Sequence, residues 1–140
     1  MESSNDLMVI NLTTFEVTRP IYNESVGIKP PPIDNHTAVK YNRNGENCMV
    51  LFGGYNGIQK SNGIYEYVFG ENKWSEIEQD HSIPSRSNHS AAIHKDFMYI
   101  FGGIDDETNK INDLWKFDLI NNKWTEIISK PEELPKVIFI

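Results

Sequence analysis

The apolar residues of this chain occur in short runs that are bounded by Gly, Asn, Asp or Pro and are rich in β-branched and aromatic residues. This pattern predicts β-strands rather than helices. In the second half of the chain it predicts four strands, at residues 89–94, 97–102, 113–119 and 123–128. Some runs are apolar at successive positions, as at residues 98–101. A strand that is apolar at successive positions is covered on both faces, so each sheet is expected to need a similar sheet stacked on either side.

The same pattern of residues recurs along the chain. Residues 49–74 and 98–124 both carry an aromatic residue, a glycine pair, an apolar run and a Trp, at a spacing of about 50 residues. A partial copy opens the chain, where residues 5–12 resemble residues 112–119. This partial copy has no glycine pair, and Val17 stands where the Trp is expected. The repeats indicate about two and a half structural units.

The glycine pairs and the Trp residues have a predicted structural role in each unit. Glycines at a strand end permit positive φ and a close approach of another backbone, so each pair is expected to turn the chain sharply out of its sheet. Each Trp is expected to be wedged between neighbouring sheets, with its indole N–H on a local acceptor. The residues concerned are Gly53, Gly54, Trp74, Gly102, Gly103 and Trp124.

Together these motifs resemble the kelch repeat, which forms one blade of a β-propeller. The second complete unit carries the resemblance in Arg86 to Ala91, in Tyr99 to Gly103, in Asn112 to Asp118 and in Trp124. The first unit departs from the pattern at Ile33, where the Arg is expected, and at Gly63, where an acidic residue is usual. The resemblance implies an all-β fold: a kelch-type propeller fragment with two complete four-stranded antiparallel blades and a half blade at the N-terminus.

The repeat boundaries predict how the chain is organised. Residues 1–20 are expected to form the C-terminal half of a first blade, and residues 131–140 to begin a further blade or to supply a ring-closing strand. The predicted segments between them are a Pro-rich loop at 21–34, a blade at 35–79 and a blade at 84–130.

Two and a half blades cannot close a ring, because propellers have about four to eight blades. The expectation is therefore a fragment of a longer polypeptide, a truncated gene model, or a chain that is completed by self-association. A further alternative is that the C-terminal strand pairs with the first blade, as family members lock their rings in this way.

Composition narrows the function classes. The net charge of −7 argues against nucleic-acid or anionic-membrane partners, which require basic surfaces. The sequence contains no apolar run of membrane-spanning length, and its polar first six residues are not expected to act as a signal peptide. The single cysteine, Cys48, precludes an intrachain disulfide and suits a reducing compartment. A cytoplasmic location is therefore expected, with the nucleus as an alternative.

Candidate chemistry is sparse in this sequence. His36 and His89 occupy equivalent positions, which favours a repeated packing or hydrogen-bonding role over a metal site. The acidic run at residues 105–107 lacks the ligand spacing and pivot Gly of a calcium loop. No nucleophile setting or phosphate-binding loop is recognisable. Some kelch propellers are copper enzymes that cross-link a Tyr to a Cys, but Cys48 lies on the strand that leads into the glycine pair. No enzyme activity, cofactor or metal is expected.

Binding of another protein is the predicted function, since propeller loops present variable side chains on rigid blades. The resemblance implies contacts from the residue after each glycine pair, Tyr55 and Ile104, and from the Arg position, Arg86. Their neighbours Asn56, Asn88 and Asp105 are weaker candidates for partner contacts. An equally weighted alternative is that Arg86 only forms a salt bridge within its blade. A second hypothesis is that the propeller is an appendage of a larger enzyme or ubiquitin-ligase adaptor whose other domain lies outside this chain.

Overall fold

A computed structural model describes residues 4–21 and 27–128, and in these ranges all regular structure is β. The prediction of an all-β chain is confirmed. The strands are β1 (Val9–Ile10), β2 (Val17–Thr18), β3 (Thr37–Arg43), β4 (Glu46–Phe52), β5 (Ile64–Val68), β6 (Lys73–Glu76), β7 (Ser90–His94), β8 (Phe97–Ile104), β9 (Lys110–Asp118) and β10 (Lys123–Ile128). The predicted C-terminal tail, 131–140, lies outside the described residues.

The strands form two four-stranded antiparallel meanders and one small hairpin. The first sheet has the order β3-β4-β5-β6, and the second has the strands β7, β8, β9 and β10 side by side in sequence order. The strands β1 and β2 pair with each other ahead of the first sheet. Between the two large sheets the closest strands are β3 and β7, the first strand of each. These two strands are therefore the inner strands of two neighbouring blades.

The main hydrophobic core lies between the two large sheets. The first sheet contributes residues such as Val50 and Phe52, and the second contributes Met98, Ile100 and Phe117, all of them fully buried. A second core lies on the other face of the first sheet, where Leu51 and Tyr67 pack with residues from the N-terminal segment. The first sheet is thus covered on both faces, as the uninterrupted apolar runs predict.

The two equivalent Trp residues occupy different cores. Trp124 lies between the two sheets, and its indole Nε1–H donates to Gln79 Oε1 at 2.7 Å. Trp74 lies in the second core, on the face of its sheet that points away from the other large sheet. Its Nε1 has no hydrogen-bond acceptor within the described ranges. The expectation of a local acceptor is therefore met for Trp124 and is not met for Trp74, where the neighbouring blade and its glutamine are replaced by the N-terminal segment.

The glycine pairs have the predicted backbone conformation but different surroundings. Gly53 and Gly54 have φ values of 69° and 101°, and a Cβ on Gly53 would lie 2.8 Å from the Arg86 carbonyl oxygen. At the second pair, β8 continues to Ile104 across a register shift between Phe101 and Gly103. That pair therefore does not turn the chain out of its sheet, because the bulge absorbs the left-handed residues while pairing with β9 continues.

Polar contacts also join the two large sheets. At the far end of the inner strands, the Tyr41 hydroxyl donates to Asp96 Oδ1 at 2.9 Å and Arg43 Nη1 donates to the Leu119 carbonyl at 3.1 Å. Desolvation and the Asp96 carboxylate raise the pKa of Tyr41 to about 12. The tyrosine therefore stays a hydrogen-bond donor over the whole physiological pH range.

Candidate functional site

The loops of the two sheets gather at two opposite ends. One end carries the glycine pairs, the β4–β5 and β8–β9 connections and the segments that enter β3 and β7. We call it the glycine rim. The other end carries the β3–β4, β5–β6, β7–β8 and β9–β10 turns. All the residues that the sequence predicts as partner contacts lie at or behind the glycine rim.

An open groove of about 430 Å³ lies on the glycine rim between the two sheets. We call it the rim groove. Three of the predicted contact residues, Tyr55, Asn88 and Ile104, line it, and Asn56 and Asp105 are their direct chain neighbours. The remaining lining residues were not predicted from the sequence: Asn35, Ile58, Lys60, Ser87, Asp106 and Thr108.

The β4–β5 loop is held in place by its own backbone. Tyr55 exchanges two backbone hydrogen bonds with Asp34, at 2.9 and 2.8 Å, so the loop is tied to the segment that enters β3. Lys60 Nζ lies 5.6 Å from the centroid of the Tyr55 ring, within the range of a cation–π contact. Between them, Ile58 extends outward with 87% of its surface exposed. An aromatic side chain on an anchored backbone, beside an exposed aliphatic side chain, is a suitable contact surface for a protein.

The β8–β9 loop contacts the first blade at the groove. Asp106 Oδ1 accepts the backbone N–H of Lys60 at 2.6 Å, which links the equivalent loops of the two blades. Burial raises the pKa of the adjacent Asp105, but hydrogen bonds from Asn109 outweigh this effect and lower it overall. The acidic run is thus a structured loop whose carboxylates accept hydrogen bonds from Lys60 and Asn109. Nothing in the sequence indicates that Asp106 and Lys60 would meet, because their contact depends on how the two sheets stack.

Arg86 lies behind the groove and is fully buried. Its guanidinium makes a bidentate pair with Asp113, at 2.6 and 2.9 Å, and also donates to the Gly102 carbonyl at 2.9 Å. Asp113 in turn accepts Trp115 Nε1 at 2.8 Å. Its Nε also donates to the Pro84 carbonyl at 3.1 Å, and because the whole side chain is buried, Arg86 presents no free face to a partner. The geometry therefore favours the alternative of a salt bridge within the blade.

The sequence of the first unit contains an indication of the Arg86–Asp113 ion pair that was not recognised from the sequence alone. Ile33 stands at the position equivalent to Arg86, and Gly63 stands at the position equivalent to Asp113. Ile33 is buried in the second core. Both partners are thus replaced together, and this avoids a buried unpaired charge, which would be strongly destabilising. The paired departure could have predicted the contact between residues 86 and 113.

His89 is a buried polar contact between the two blades. Its Nε2 lies 2.7 Å from Thr37 Oγ1 of the first blade, and its ring packs edge-on against Phe52. Burial, followed by the positive charge of Arg86 and then by His36, lowers the pKa of His89 from 6.5 to about 4. His36, at the equivalent position in the first unit, is more exposed, because among the described residues the N-terminal segment lies beside it in place of a complete blade. Burial lowers the pKa of both histidines, but His89 is buried more deeply and contacts the neighbouring blade.

We expect the neutral form of His89 to make stability pH-dependent. Because its pKa is lower in the folded chain than in the unfolded chain, its contribution is complete above pH 6.5 and is lost as the pH falls towards about 4. The loss amounts to roughly 3 kcal/mol at most. Urea denaturation between pH 7 and pH 4 should show a smaller loss of unfolding free energy for His89→Asn than for the unaltered chain. Equal losses in both proteins would contradict this assignment.

Among the described residues, no group of three or more His, Cys, Asp or Glu side chains is arranged to hold a metal ion. Cys48 is buried and unpaired, with its Sγ donating to the Glu46 carbonyl. The described ranges also contain no helix that is long and apolar enough to cross a membrane.

Comparison with known proteins supports the repeat interpretation. The chain is 29% identical over 137 residues to the leucine-zipper-like transcriptional regulator 1 homolog of Drosophila melanogaster, covering 92% of this chain and 13% of that protein. It is 34% identical over 133 residues to Ras guanine nucleotide exchange factor F of Dictyostelium discoideum, covering 90% of this chain and 11% of that protein. The chain is 30% identical over 123 residues to human host cell factor 2, covering 76% of this chain and 15% of that protein. The chain therefore spans less than a sixth of the length of each of these relatives.

A family model extends this similarity along nearly the whole chain. Residues 1–137 match the model of the KLHDC2/KLHL20/DRC7 Kelch-repeats domain. The match agrees with the two four-stranded antiparallel sheets, the glycine pairs and the buried Trp residues described above. The chain belongs to the kelch-repeat family, and its two large sheets are blades of a kelch-type β-propeller.

Proposed function

We propose that this chain is a non-catalytic protein-interaction module that binds a segment of another protein in the rim groove. The observation that carries the proposal is the convergence of Tyr55, Ile58 and Ile104 on one open groove between two rigid blades. A partly exposed aromatic ring beside one exposed and one half-buried isoleucine, surrounded by Asn and Ser side chains, has the composition of a protein contact surface. Kelch-repeat domains generally serve as interaction modules, which agrees with this proposal.

The charge near the groove favours a partner segment that carries positive charge. The β8–β9 loop places Asp105, Asp106 and Glu107 at the edge of the groove, while Lys60 is the one basic residue in its lining. The whole chain has a net charge of −7. Because an acidic surface steers basic partners towards it and repels acidic ones, we propose a neutral-to-basic segment.

The proposal predicts that binding depends on the glycine rim and not on the opposite rim. Peptides selected from a random display library on the immobilised chain should bind the Tyr55→Ala variant at least about tenfold more weakly, because a truncated central aromatic contact typically costs this much or more. Ile58→Ala should also weaken binding. The matched control is Ile120→Ala, which removes an aliphatic side chain that is 54% exposed in the β9–β10 turn, on the opposite rim.

The affinities of the selected peptides for the three variants can be measured by titration calorimetry or biolayer interferometry. Retained affinity in Ile120→Ala together with losses in Tyr55→Ala and Ile58→Ala supports binding in the rim groove. Selected peptides that bind all three variants equally well would refute it. Salt should weaken the binding, since the proposed partner is attracted by opposite charge.

The second hypothesis, an appendage of a larger enzyme or adaptor, is compatible with the first. It is favoured by the small share of each relative that the chain matches, among them a protein named as a Ras guanine nucleotide exchange factor. In that case we propose that the propeller recruits a partner while chemistry occurs elsewhere in the polypeptide.

A further inference from the structure

The chain contains three Asn-Gly pairs, at Asn44-Gly45, Asn56-Gly57 and Asn62-Gly63. In such a pair the backbone nitrogen of the glycine can attack the side-chain amide carbon of the asparagine, because glycine has no side chain to hinder the approach. The reaction is intramolecular and forms a five-membered ring, so its rate depends on whether the two atoms are free to meet. The structure places the three pairs in different surroundings.

In two pairs the attacking nitrogen is already engaged. The backbone N–H of Gly45 donates to Asn42 Oδ1 at 2.8 Å, and the N–H of Gly63 donates to Ser61 Oγ at 2.9 Å. The Asn62 side chain is also fixed, since its Nδ2 donates to the Ile83 carbonyl at 3.0 Å. Each of these hydrogen bonds must break before the nitrogen or the amide can move into place for attack.

In the third pair the attacking nitrogen is not held by a hydrogen bond. Within the described ranges the Gly57 backbone N–H makes no hydrogen bond, and both Asn56 and Gly57 are exposed in the loop. Asn56 Oδ1 accepts two backbone N–H groups, from Ile58 at 2.9 Å and from Gln59 at 2.8 Å. This oxygen gains negative charge when Gly57 N adds to the amide carbon. Two donors aimed at the developing charge stabilise it in the manner of an oxyanion hole.

We propose that Asn56 is a site of spontaneous deamidation, and that it reacts faster than the other two Asn-Gly pairs of the folded chain. The Gly57 N–H gives its proton to hydroxide, and the nitrogen forms a bond to the Asn56 side-chain amide carbon. The bond from that carbon to the amide nitrogen then breaks, and ammonia leaves with a proton from water. Water opens the resulting cyclic imide at either carbonyl, which yields aspartate or isoaspartate. No oxidant or cofactor is required.

The product alters the rim groove. Deamidation places a negative charge between Tyr55 and Ile58, beside the acidic β8–β9 loop. In the isoaspartate form the backbone also gains a methylene group, which shifts the loop that holds Tyr55. The site itself does not depend on the proposed binding function, and it can be tested without a partner.

The test is peptide mapping by tandem mass spectrometry of the folded chain during incubation at mildly alkaline pH. The conversion of Asn56 to the acid should proceed at least about fivefold faster than that of Asn44 or Asn62, because each of those must first break a hydrogen bond. In denaturing urea the three rates should become similar. Gly57→Ala should slow the reaction at Asn56.

A second variant tests, at Asn11, whether two backbone N–H groups donating to the asparagine Oδ1 promote the reaction. Asn11 Oδ1 also accepts two backbone N–H groups, from Thr13 at 2.8 Å and from Thr14 at 3.1 Å, but Leu12 follows it. Leu12 is 82% exposed, so Leu12→Gly removes the hindering side chain without disturbing a core. This variant should deamidate at Asn11, while the unaltered chain should not. Equal rates at all three Asn-Gly pairs in the folded chain, or faster reaction at Asn44 or Asn62, would overturn the proposal.

Discussion

Arg86→Ala is expected to lower the free energy of unfolding of this chain by roughly 3–5 kcal/mol, because it leaves the Asp113 carboxylate without its buried partner. The arginine is fully buried, and its guanidinium also donates to the Gly102 carbonyl. Urea denaturation monitored by circular dichroism would measure the loss. Arg19→Ala, at an exposed position, is the matched control and should have little effect.

The first unit suggests how this loss can be reversed. Since Ile33 and Gly63 occupy the equivalent positions, the double variant Arg86→Ile with Asp113→Gly reproduces an arrangement that the chain already contains. We expect the double variant to be more stable than Arg86→Ala, because no buried charge is left unpaired. A double variant less stable than either single variant would show that the pair contributes more than mutual neutralisation.

Trp124→Ala should be comparably destabilising, by roughly 3–5 kcal/mol, the usual cost of emptying a core position of this size. Trp124 is 4% exposed and packs against Phe52 and Phe117, with ring centroids 5.5 and 4.8 Å away. Because these partners belong to different sheets, the substitution should loosen the contact between the blades as well as the core of one blade. Urea denaturation monitored by circular dichroism would measure the loss of unfolding free energy.

The two equivalent Trp residues allow the indole hydrogen bond to be measured separately. Trp124→Phe leaves the Gln79 side chain without its donor, whereas Trp74→Phe removes an indole N–H that has no acceptor among the described residues. Trp124→Phe should therefore cost about 1 kcal/mol more than Trp74→Phe. Equal costs would mean that the Gln79 contact adds nothing to stability.

The sequence predicted the repeat architecture well because its signals are local. Uninterrupted apolar runs, glycine pairs and Trp residues at a constant spacing reflect the packing requirements of each blade, so they can be recognised without coordinates. Strand ends were less predictable. The third strand of the second blade begins at Lys110 rather than at Asp113, because the β-bulge at Gly102 and Gly103 lets pairing continue beyond the glycine pair.

The candidate site was predicted only in part. Tyr55, Asn88 and Ile104 follow from their positions in the repeat, but Ile58, Lys60 and Asp106 belong to loops whose sequences differ between the two units. Arg86 matched the motif, but the sequence did not decide between a partner contact and a salt bridge within the blade. The structure places its guanidinium against Asp113. A repeat motif specifies which backbone positions are equivalent. It does not specify how exposed a side chain at such a position is.

The sequence by itself therefore determined the blades: the four short strands of each unit, the positive φ of the glycine pairs and the large residues that each blade must bury. Only the tertiary structure decided what each repeated residue meets. Trp74 and Trp124, like His36 and His89, are equivalent in sequence but face different neighbours, because one blade packs against the N-terminal segment and the other packs against a complete blade. The physical reason is that strand formation follows from local residue patterns, whereas burial, pKa and hydrogen-bond partners depend on whichever surface is stacked on the sheet.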